Sequence, residues 1–458
     1  MKIVPAQSDL NINSQENSLL TDLYQLTMAS CYVGEGIANK TASFELFVRR
    51  FPHNFAYLIA MGLAQVLEYL DQLNFSQEQI KALKHTGIFN HAPQEFWNLL
   101  ETAKFTGDVW AVPEGTAIFA NEPILRIEAP LWQAQLIETY LLNTINYQTL
   151  IATKAARIRD IAGEKAKILE FGTRRAFSPQ GAIWAARAAL AAGFDGTSNV
   201  LAALKLGEKP QGTMAHALVM AIKAIAGSED EAFRAFQNYF PQASLLIDTY
   251  DTVAATKRLQ AEVESGAMKI AGVRIDSGDL GELSQKVRSY LPETNIFVSG
   301  DLDEWEIDKL RQQGAAIDGY GIGTKLVTGE PVNGVYKLVE IDRIPTMKLS
   351  SNKLSYPGRK QIFRKMVNGQ IQQDRLGLFE EIPQENEHEL LQLVMQNGRR
   401  RQSSQALNTI RQRTANSIAS LPAATRQISN PKFISVNIST ALESLRQSVA
   451  MQNSVINN

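Results

Sequence analysis

Between residues 165 and 327, short apolar runs alternate with polar tips and longer stretches of helical spacing. ILEF ends in Gly172-Thr173-Arg174-Arg175, AGF in Asp195-Gly196-Thr197-Ser198, and QGTMA in His216. SLLI runs into Asp248, AGVRI into Asp276-Ser277-Gly278-Asp279, and NIFV into Ser299-Gly300-Asp301. The last run of this kind reaches Gly319-Tyr320-Gly321-Ile322-Gly323-Thr324. An Ala-rich segment, 180–192, separates the first two tips and has strong helix propensity. Strand, tip and helix in repetition predict a parallel sheet with crossover helices. Strand ends at Gly172, Asp195, His216, Asp248, Asp276, Gly300 and Gly321 number about seven, close to the eight of a (β/α) barrel. An open doubly wound sheet is the alternative. Both architectures receive ligands at the carboxyl ends of their strands, which puts His216 where chemistry would be done.

The flanks follow other periods. Residues 1–18 are polar, and 19–36 (LLTDLYQLTMASCYVGEG) have helical spacing, with Thr21 or Asp22 to cap them. Residues 41–52 alternate like a strand, and 56–105 read as helices. Short strands with turns at Pro113-Glu114-Gly115 and Asn121-Glu122-Pro123 fill 105–130, and one long helix is predicted over 131–163. After 328, VYKLVEID, PTMKLSS and QIFRKMVNGQIQQDRLGL predict antiparallel strands that complete the small β domain. Repeated Leu and Ile predict helices in 384–458. The chain therefore divides into 1–130 (helices and part of a sandwich), 131–327 (an α/β barrel with the active site), 328–383 (strands completing the sandwich) and 384–458 (a helical extension).

Composition narrows the picture. The 458 residues are 45% apolar and 20% charged, enough for a sizeable core. The net charge of -1 gives no reason to expect nucleic acid or an anionic membrane as a partner. Cys31 is the one cysteine, so neither an intrachain disulfide nor a cysteine zinc site is possible. No signal-peptide core begins the chain and no apolar run reaches ~18 residues, so a cytoplasmic protein is expected.

Several tips carry candidate chemistry. His216 is the one histidine of the α/β region and follows Gly212-Thr213. A nucleophile or proton-transfer role stands against that of a satisfied core histidine. Asp248, Asp251, Asp276 and Asp279 could hold magnesium through water or bind ribose hydroxyls. Asp276 with Asp248 or Glu170 could instead form a glycosidase pair, and Asp279 could simply cap the next helix. The glycines at 300, 321 and 323, with Thr324, favour a phosphate. GYGIGT lacks the acidic residue ~20 positions on that a dinucleotide fold needs, and no Walker A pattern is present. Arg174, Arg175 and Arg274 offer bidentate contact to carboxylate or phosphate. Tyr24 and Phe171 could be core or a platform for a flat ligand.

Eleven ordered motifs then carry a resemblance. TDLYQLTM (21–28), VPEGT (112–116), NEP (121–123), ATKAARI (152–158), EFGTRRA (170–176), GFDGTSNVLA (193–202), GTMAH (212–216), DTYDT (248–252), RIDSGDL (274–280), GIGTKLVT (321–328) and KLSSNKLSYPGRKQIFR (348–364) resemble the nicotinate phosphoribosyltransferase family. The resemblance implies an irregular TIM-like barrel joined to an α/β sandwich, and a homodimer with its active site near the subunit boundary. It implies that nicotinate and 5-phosphoribosyl-1-diphosphate give nicotinate mononucleotide and diphosphate, with magnesium as cofactor and ATP hydrolysis coupled through a phosphorylated His216. It also implies roles for single residues. Tyr24, from the partner subunit, and Phe171 would sandwich the pyridine, with Thr213 and Arg274 beside the nicotinate carboxylate. Asp276 and Asp279 would serve ribose or the metal-bound diphosphate. Arg174 and Asp248 would bind the phosphoribosyl diphosphate, and Gly300, Gly321, Gly323 and Thr324 its 5-phosphate. Related nicotinamide enzymes carry Asp where this chain has Ser198. An Asp would repel a carboxylate, so nicotinate is preferred over nicotinamide. Nicotinamide phosphoribosyltransferase and a TIM-barrel glycosidase remain the alternative enzymes, and a phosphoribosyl-sensing regulator the alternative without catalysis.

Overall fold

The computed structural model describes residues 10–348 and 355–456. Its alternating half forms six parallel strands: β1 (Lys167–Glu170), β2 (Gly196–Thr197), β3 (Leu245–Leu246), β4 (Gly272–Ile275), β5 (Asn295–Ser299) and β6 (Gly319–Ile322). They pair in the order β2-β1-β6-β5-β4-β3. The last of these strands in sequence thus lies beside the first, and β2 and β3 are the two edges of the sheet. Each strand is followed by a helix, and the outward side chains Ile168, Val273, Ile275, Ile296, Val298 and Ile322 are buried in one core with those helices.

The seventh expected strand, 211–215, does not form. Gln211 donates one backbone hydrogen bond to the Thr197 carbonyl (2.9 Å), and the chain enters the helix His216–Ala226 directly. Pro210 has no N–H for a ladder and Gly212 weakens an extended pairing. Asp195 is not a strand end either, because β2 starts one residue later. Its carboxylate accepts the Ile168 N–H at 2.8 Å and pairs with Arg159 and with Arg411, the latter at 2.8 Å.

The flanking sheets are antiparallel except at one edge, where 436–438 runs parallel to 370–378. One has seven strands, in the spatial order 344–345, 334–341, 41–48, 123–130, 108–111, 392–396 and 399–400. Another has four, in the order 387–389, 360–367, 370–378 and 436–438. Strands after 328 therefore do pair with strands before 130. The expectation of helices throughout 384–458 is corrected. The second half of ELLQLVMQ forms the strand Gln392–Gln396, claimed by pairing with Asp108–Ala111 and burying Met395. Helices hold only at Leu407–Ser420, Ala423–Arg426 and Thr440–Ile456. The expected strand PTMKLSS and the motif at 348–364 lie partly outside the described residues, at 349–354.

The helix predicted over 131–163 breaks at Ile137 into Leu131–Leu136 and Glu138–Ala162. The second of these is the pillar between the two halves. Leu141, Ile145 and Leu150 belong to the core of the antiparallel sheet, while Ile151, Ala152, Ala155 and Ile158 belong to the core of the parallel one. Small alanines on its far end and on Pro179–Ala191 let the two helices pack closely. On the same helix, Arg157 is fully buried. Its Nε donates to Glu304 Oε1 at 2.9 Å, Nη1 to the Asn54 carbonyl at 3.1 Å and Nη2 to the Ile428 carbonyl at 3.2 Å. One guanidinium thus ties the N-terminal part, the α/β part and the C-terminal extension together. No helix among the described residues is long and apolar enough to cross a membrane.

Arg157→Met leaves the buried Glu304 carboxylate without its cation. The expected loss is about 3–5 kcal/mol of stability, read by urea unfolding. A loss below about 1 kcal/mol, the scale of an exposed pair, would show that this guanidinium does not join the three parts.

Candidate functional site

The carboxyl ends of the parallel strands surround a cavity of about 460 Å³. Phe171, Thr173 and Arg174 line it from the tip of β1, Ser198 from β2, Arg274 and Asp276 from β4, and Ser299 from β5. The segment Pro210–Ala215, which forms no strand, supplies the remaining wall. A second cavity of about 490 Å³ lies behind the first and shares Phe171, Gly212, Thr213 and Arg274 with it. Lys167, Leu169, Phe297 and Gly321 line this inner space, as the period of two requires for side chains opposite the buried outer face.

His216 opens an eleven-residue helix whose N-cap, Ala215, offers no side-chain acceptor. Its Nδ1 is 3.1 Å from Thr249 Oγ1, and its Nε2 is 4.0 Å from Asp276 Oδ2. Asp276 in turn accepts a short hydrogen bond from Ser299 Oγ. Asp248 Oδ2 accepts from the Asp276 N–H at 2.9 Å and from Ser277 Oγ at 2.6 Å, while its Oδ1 is buried with no hydrogen-bond partner. The tips of β3, β4 and β5 and the start of the His216 helix are thus one polar network. Gly300 is needed within it: at φ +98° a Cβ would stand 2.4 Å from the Asp276 carbonyl oxygen.

Arg274 reaches into the cavity from β4 and donates from Nη1 to Thr213 Oγ1 at 2.8 Å, while its Nε is buried without a partner. Burial pushes the guanidinium below its usual pKa, and Asp276 and Asp248 counter that shift. It keeps its charge at neutral pH and faces a space sized for a small planar acid. Phe171 stacks its ring over Gly321, where a Cβ would fall 2.5 Å from a ring carbon. Gly323 caps the short helix Thr324–Val327, with its Cβ direction facing the Phe171 carbonyl at 3.4 Å. Arg174 is exposed to the cavity and has no ion-pair partner among the described residues.

Not every candidate joins this group. Asp279 is the N-cap of Leu280–Tyr290, its Oδ1 accepting from the Glu282 N–H at 3.0 Å, and it does not line the cavity. Asp251 caps Thr252–Glu264 in the same way. Tyr24, on the helix Leu23–Gly34, is 48% exposed and lines neither cavity. Glu170 is fully buried behind the tip of β1, which removes it as a glycosidase partner for Asp276. Thr249 and Ser299, both inside quoted tips, were not singled out by the sequence. Their signal is a hydroxyl next to a strand-end Asp or Gly, which is common in turns and weak alone. Among the described residues, no three His, Cys, Asp or Glu side chains converge as a metal-ligand set.

Comparison with known proteins covers nearly the whole chain. Three family models match: the nicotinate phosphoribosyltransferase N-terminal domain over residues 19–146, the nicotinate phosphoribosyltransferase family over 166–354, and its C-terminal domain over 381–446. A nicotinate phosphoribosyltransferase of Mycobacterium tuberculosis is 40% identical over 435 residues, covering 92% of this chain and 91% of its own length. That of Bacillus subtilis is 42% identical over 383 residues, with 80% and 76% covered. The crystal structure of human nicotinic acid phosphoribosyltransferase superposes with a TM-score of 0.82 at 29% identity, over 94% of this chain and 100% of that one.

Proposed function

Since the chain belongs to the nicotinate phosphoribosyltransferase family and so serves NAD salvage from nicotinate, we propose that the cavity at the strand ends is where the transfer takes place, coupled to ATP through His216. The overall change is nicotinate + 5-phosphoribosyl-1-diphosphate + ATP + water to nicotinate mononucleotide + diphosphate + ADP + phosphate. The observation that carries this reading is the His216 imidazole, held between Thr249 Oγ1 and Asp276 Oδ2 at the head of an uncapped helix. The open N–H groups there favour a phosphoryl group on the imidazole.

The remaining roles follow from chemistry. Departure of diphosphate leaves an oxocarbenium-like ribose, so the site needs charge around both partners. Arg274 and Thr213 bind the nicotinate carboxylate, and Ser198 leaves that end free of a repelling Asp. Phe171 covers one face of the ring. Arg174 meets the diphosphate, and Gly300, Gly321, Gly323 and Thr324 receive the 5-phosphate. Magnesium supplies charge neutralisation on the leaving group. Asp276 and the unpartnered Oδ1 of Asp248 suit it, since this ion takes one or two carboxylates and completes its shell with water and substrate oxygens. Asp279 lies outside the cavity lining and keeps Oδ2 free of its cap bond, so it serves ribose or the metal-bound diphosphate from the rim.

The circular strand order supports an irregular barrel, with Pro210–Ala215 filling the position between β2 and β3. On this reading residues 131–327 are the catalytic unit and 1–130 with 328–383 the sandwich, extended by strands from 384–458. A homodimer completes the site. Leu20, Leu23 and Tyr24 on one face, and Val200, Leu201 and Leu204 beside Ser198, are exposed apolar side chains of the kind that pair between copies. Tyr24 of a second copy would then cover the other face of the pyridine. A single exposed cysteine supports a reducing, cytoplasmic setting.

His216→Ala is expected to abolish ATP hydrolysis and its stimulation of nicotinate mononucleotide synthesis, measured with and without ATP. Full coupling in this variant would end the phosphohistidine role. Arg274→Ala is expected to raise the nicotinate KM about 10- to 100-fold, the worth of a charge-assisted hydrogen bond. An unchanged nicotinate KM would move the carboxylate elsewhere.

A further inference from the structure

Glu170 is a fully buried carboxylate that the transfer chemistry leaves unused. The residues on either side of it, Leu169 in β1 and Phe171 just beyond, line the cavities, so its own side chain turns outward, away from them. There it accepts two hydrogen bonds. Oε1 takes the Gly172 N–H in a short contact, and Oε2 takes the Thr197 hydroxyl at 2.5 Å. Thr197 Oγ1 then accepts from the Asn199 N–H at 2.9 Å, and the Glu170 carbonyl accepts from the Ser198 N–H at 2.9 Å. Gly172 is folded so tightly that a Cβ would lie 2.3 Å from Val327 and 2.9 Å from Glu170 Oε1.

This contact joins two tips whose main-chain pairing is short. β2 is two residues long, and its register with β1 is Leu169↔Gly196 and Glu170↔Thr197. Main-chain bonds from Asp195 N–H to the Ile168 carbonyl and from Ser198 N–H to the Glu170 carbonyl extend that short ladder, and the Glu170 carboxylate adds a side-chain tie between the two tips. We propose that Glu170 is a positioning residue for the phosphoribosyl transfer, its carboxylate locking the β1 tip to the β2 tip so that Arg174 and Ser198 reach the cavity in one fixed arrangement. The proposal rests on the binding roles given above to those two residues.

The group chosen is costly, which is the reason to read function into it. An ionised carboxylate with no cation beside it is expensive to bury. A glutamine would keep one acceptor for the Gly172 N–H, while its NH2 would turn the Thr197 hydroxyl from donor to acceptor, in competition with the Asn199 N–H that it already accepts. The ionised acid accepts from both donors and leaves that bond intact.

Burial raises the Glu170 pKa above its ordinary value, while the Thr197 hydroxyl and the Gly172 N–H pull it partway back. Tyr147, on the helix Glu138–Ala162, is the titratable group that senses this charge; burial first, and Glu170 second, push its phenol up to about 12. The sign for stability follows from the raised folded pKa. The contribution of this group is fully present below the unfolded value and is lost as pH rises through the folded one. Activity responds in the opposite sense, because protonation removes an acceptor from one of the two tips.

The test uses Glu170→Gln, Thr197→Val and Thr197→Ser in the full-length enzyme, each with kcat and KM for both substrates across pH. Glu170→Gln and Thr197→Val are expected to raise KM for both substrates, with a 10- to 100-fold loss in kcat/KM at neutral pH and a smaller change in kcat. Wild type is expected to show an acid limb above the ordinary carboxylate range, and Glu170→Gln to lose it. Thr197→Ser should restore wild-type values, and the double variant Glu170→Gln/Thr197→Val should be no worse than the poorer single one. Wild-type kinetics in Thr197→Val, additive losses in the double variant, or a Thr197→Ser variant as poor as Thr197→Val would overturn the proposal. The Thr197 pair decides the matter if Glu170→Gln does not fold. Arg174→Ala separates this proposal from the site reading beneath it. If its KM for 5-phosphoribosyl-1-diphosphate is unchanged, the site reading fails; if that KM rises while the Thr197 and Glu170 variants stay normal, only the positioning role fails.

Discussion

The structure depends on one long-range pairing, that of the last parallel strand with the first. Gly319, Tyr320, Gly321 and Ile322 lie beside Lys167, Ile168, Leu169 and Glu170, about 150 residues earlier in the chain. Parallel neighbours need a crossover, and here the crossover is the whole of the intervening α/β segment. The pairing is what sets the Gly321–Thr324 turn against Phe171. Glycine makes the approach possible, since any Cβ at 319 or 321 would enter an aromatic ring. The phosphate-type turn and the aromatic wall of the cavity are therefore consequences of one ladder.

Around that ladder the polar tips satisfy one another before any ligand arrives. Asp248 holds the Asp276 N–H, Asp276 holds Ser299, and His216 leans on Thr249. Backbone groups at strand ends would otherwise be left without partners where water is partly excluded. The same bonds fix the directions of the carboxylates and the imidazole, so no large rearrangement is needed to present them. What remains unpaired is the Nε of Arg274, on β4, and the Oδ1 of Asp248, just beyond the neighbouring β3.

The two halves of the molecule are joined through helix Glu138–Ala162 rather than through a linker. It is buried along nearly its full length and contributes to both cores. Its weak helical amphipathicity is the expected mark of a helix with neighbours all round. Lys154 on it donates to the Thr328 carbonyl at 2.6 Å and to that of Lys325, and Tyr147 to the Val327 carbonyl at 3.2 Å. The turn after β6 is thus held from the pillar as well as from the sheet, which links the packing of the antiparallel half to the geometry of the cavity.

The alternation of apolar run and polar tip was enough to read the parallel strands, their order of appearance, and most of the residues that line the cavity. Phe171, Arg174, Arg274 and Asp276 were legible in this way, because a strand end is a local event written in a few adjacent residues; Ser198 and Thr213 were singled out by the resemblance to the family, and Thr213 lies in a run that forms no strand. Pairing is not local. Nothing in QGTMA says that it finds no strand partner, and nothing in ELLQLVMQ says that its edge is claimed by Asp108–Ala111 instead of coiling into a helix. The burial of Glu170 was equally hidden, since it depends on which neighbours exclude water from a carboxylate, whereas the cap made by Asp279 was one of two readings its sequence position left open. Sequence by itself determined the chemistry available at each tip; tertiary structure alone decided which tips meet, because hydrogen bonds between distant strands and the shape of the space between them are properties of the packed chain.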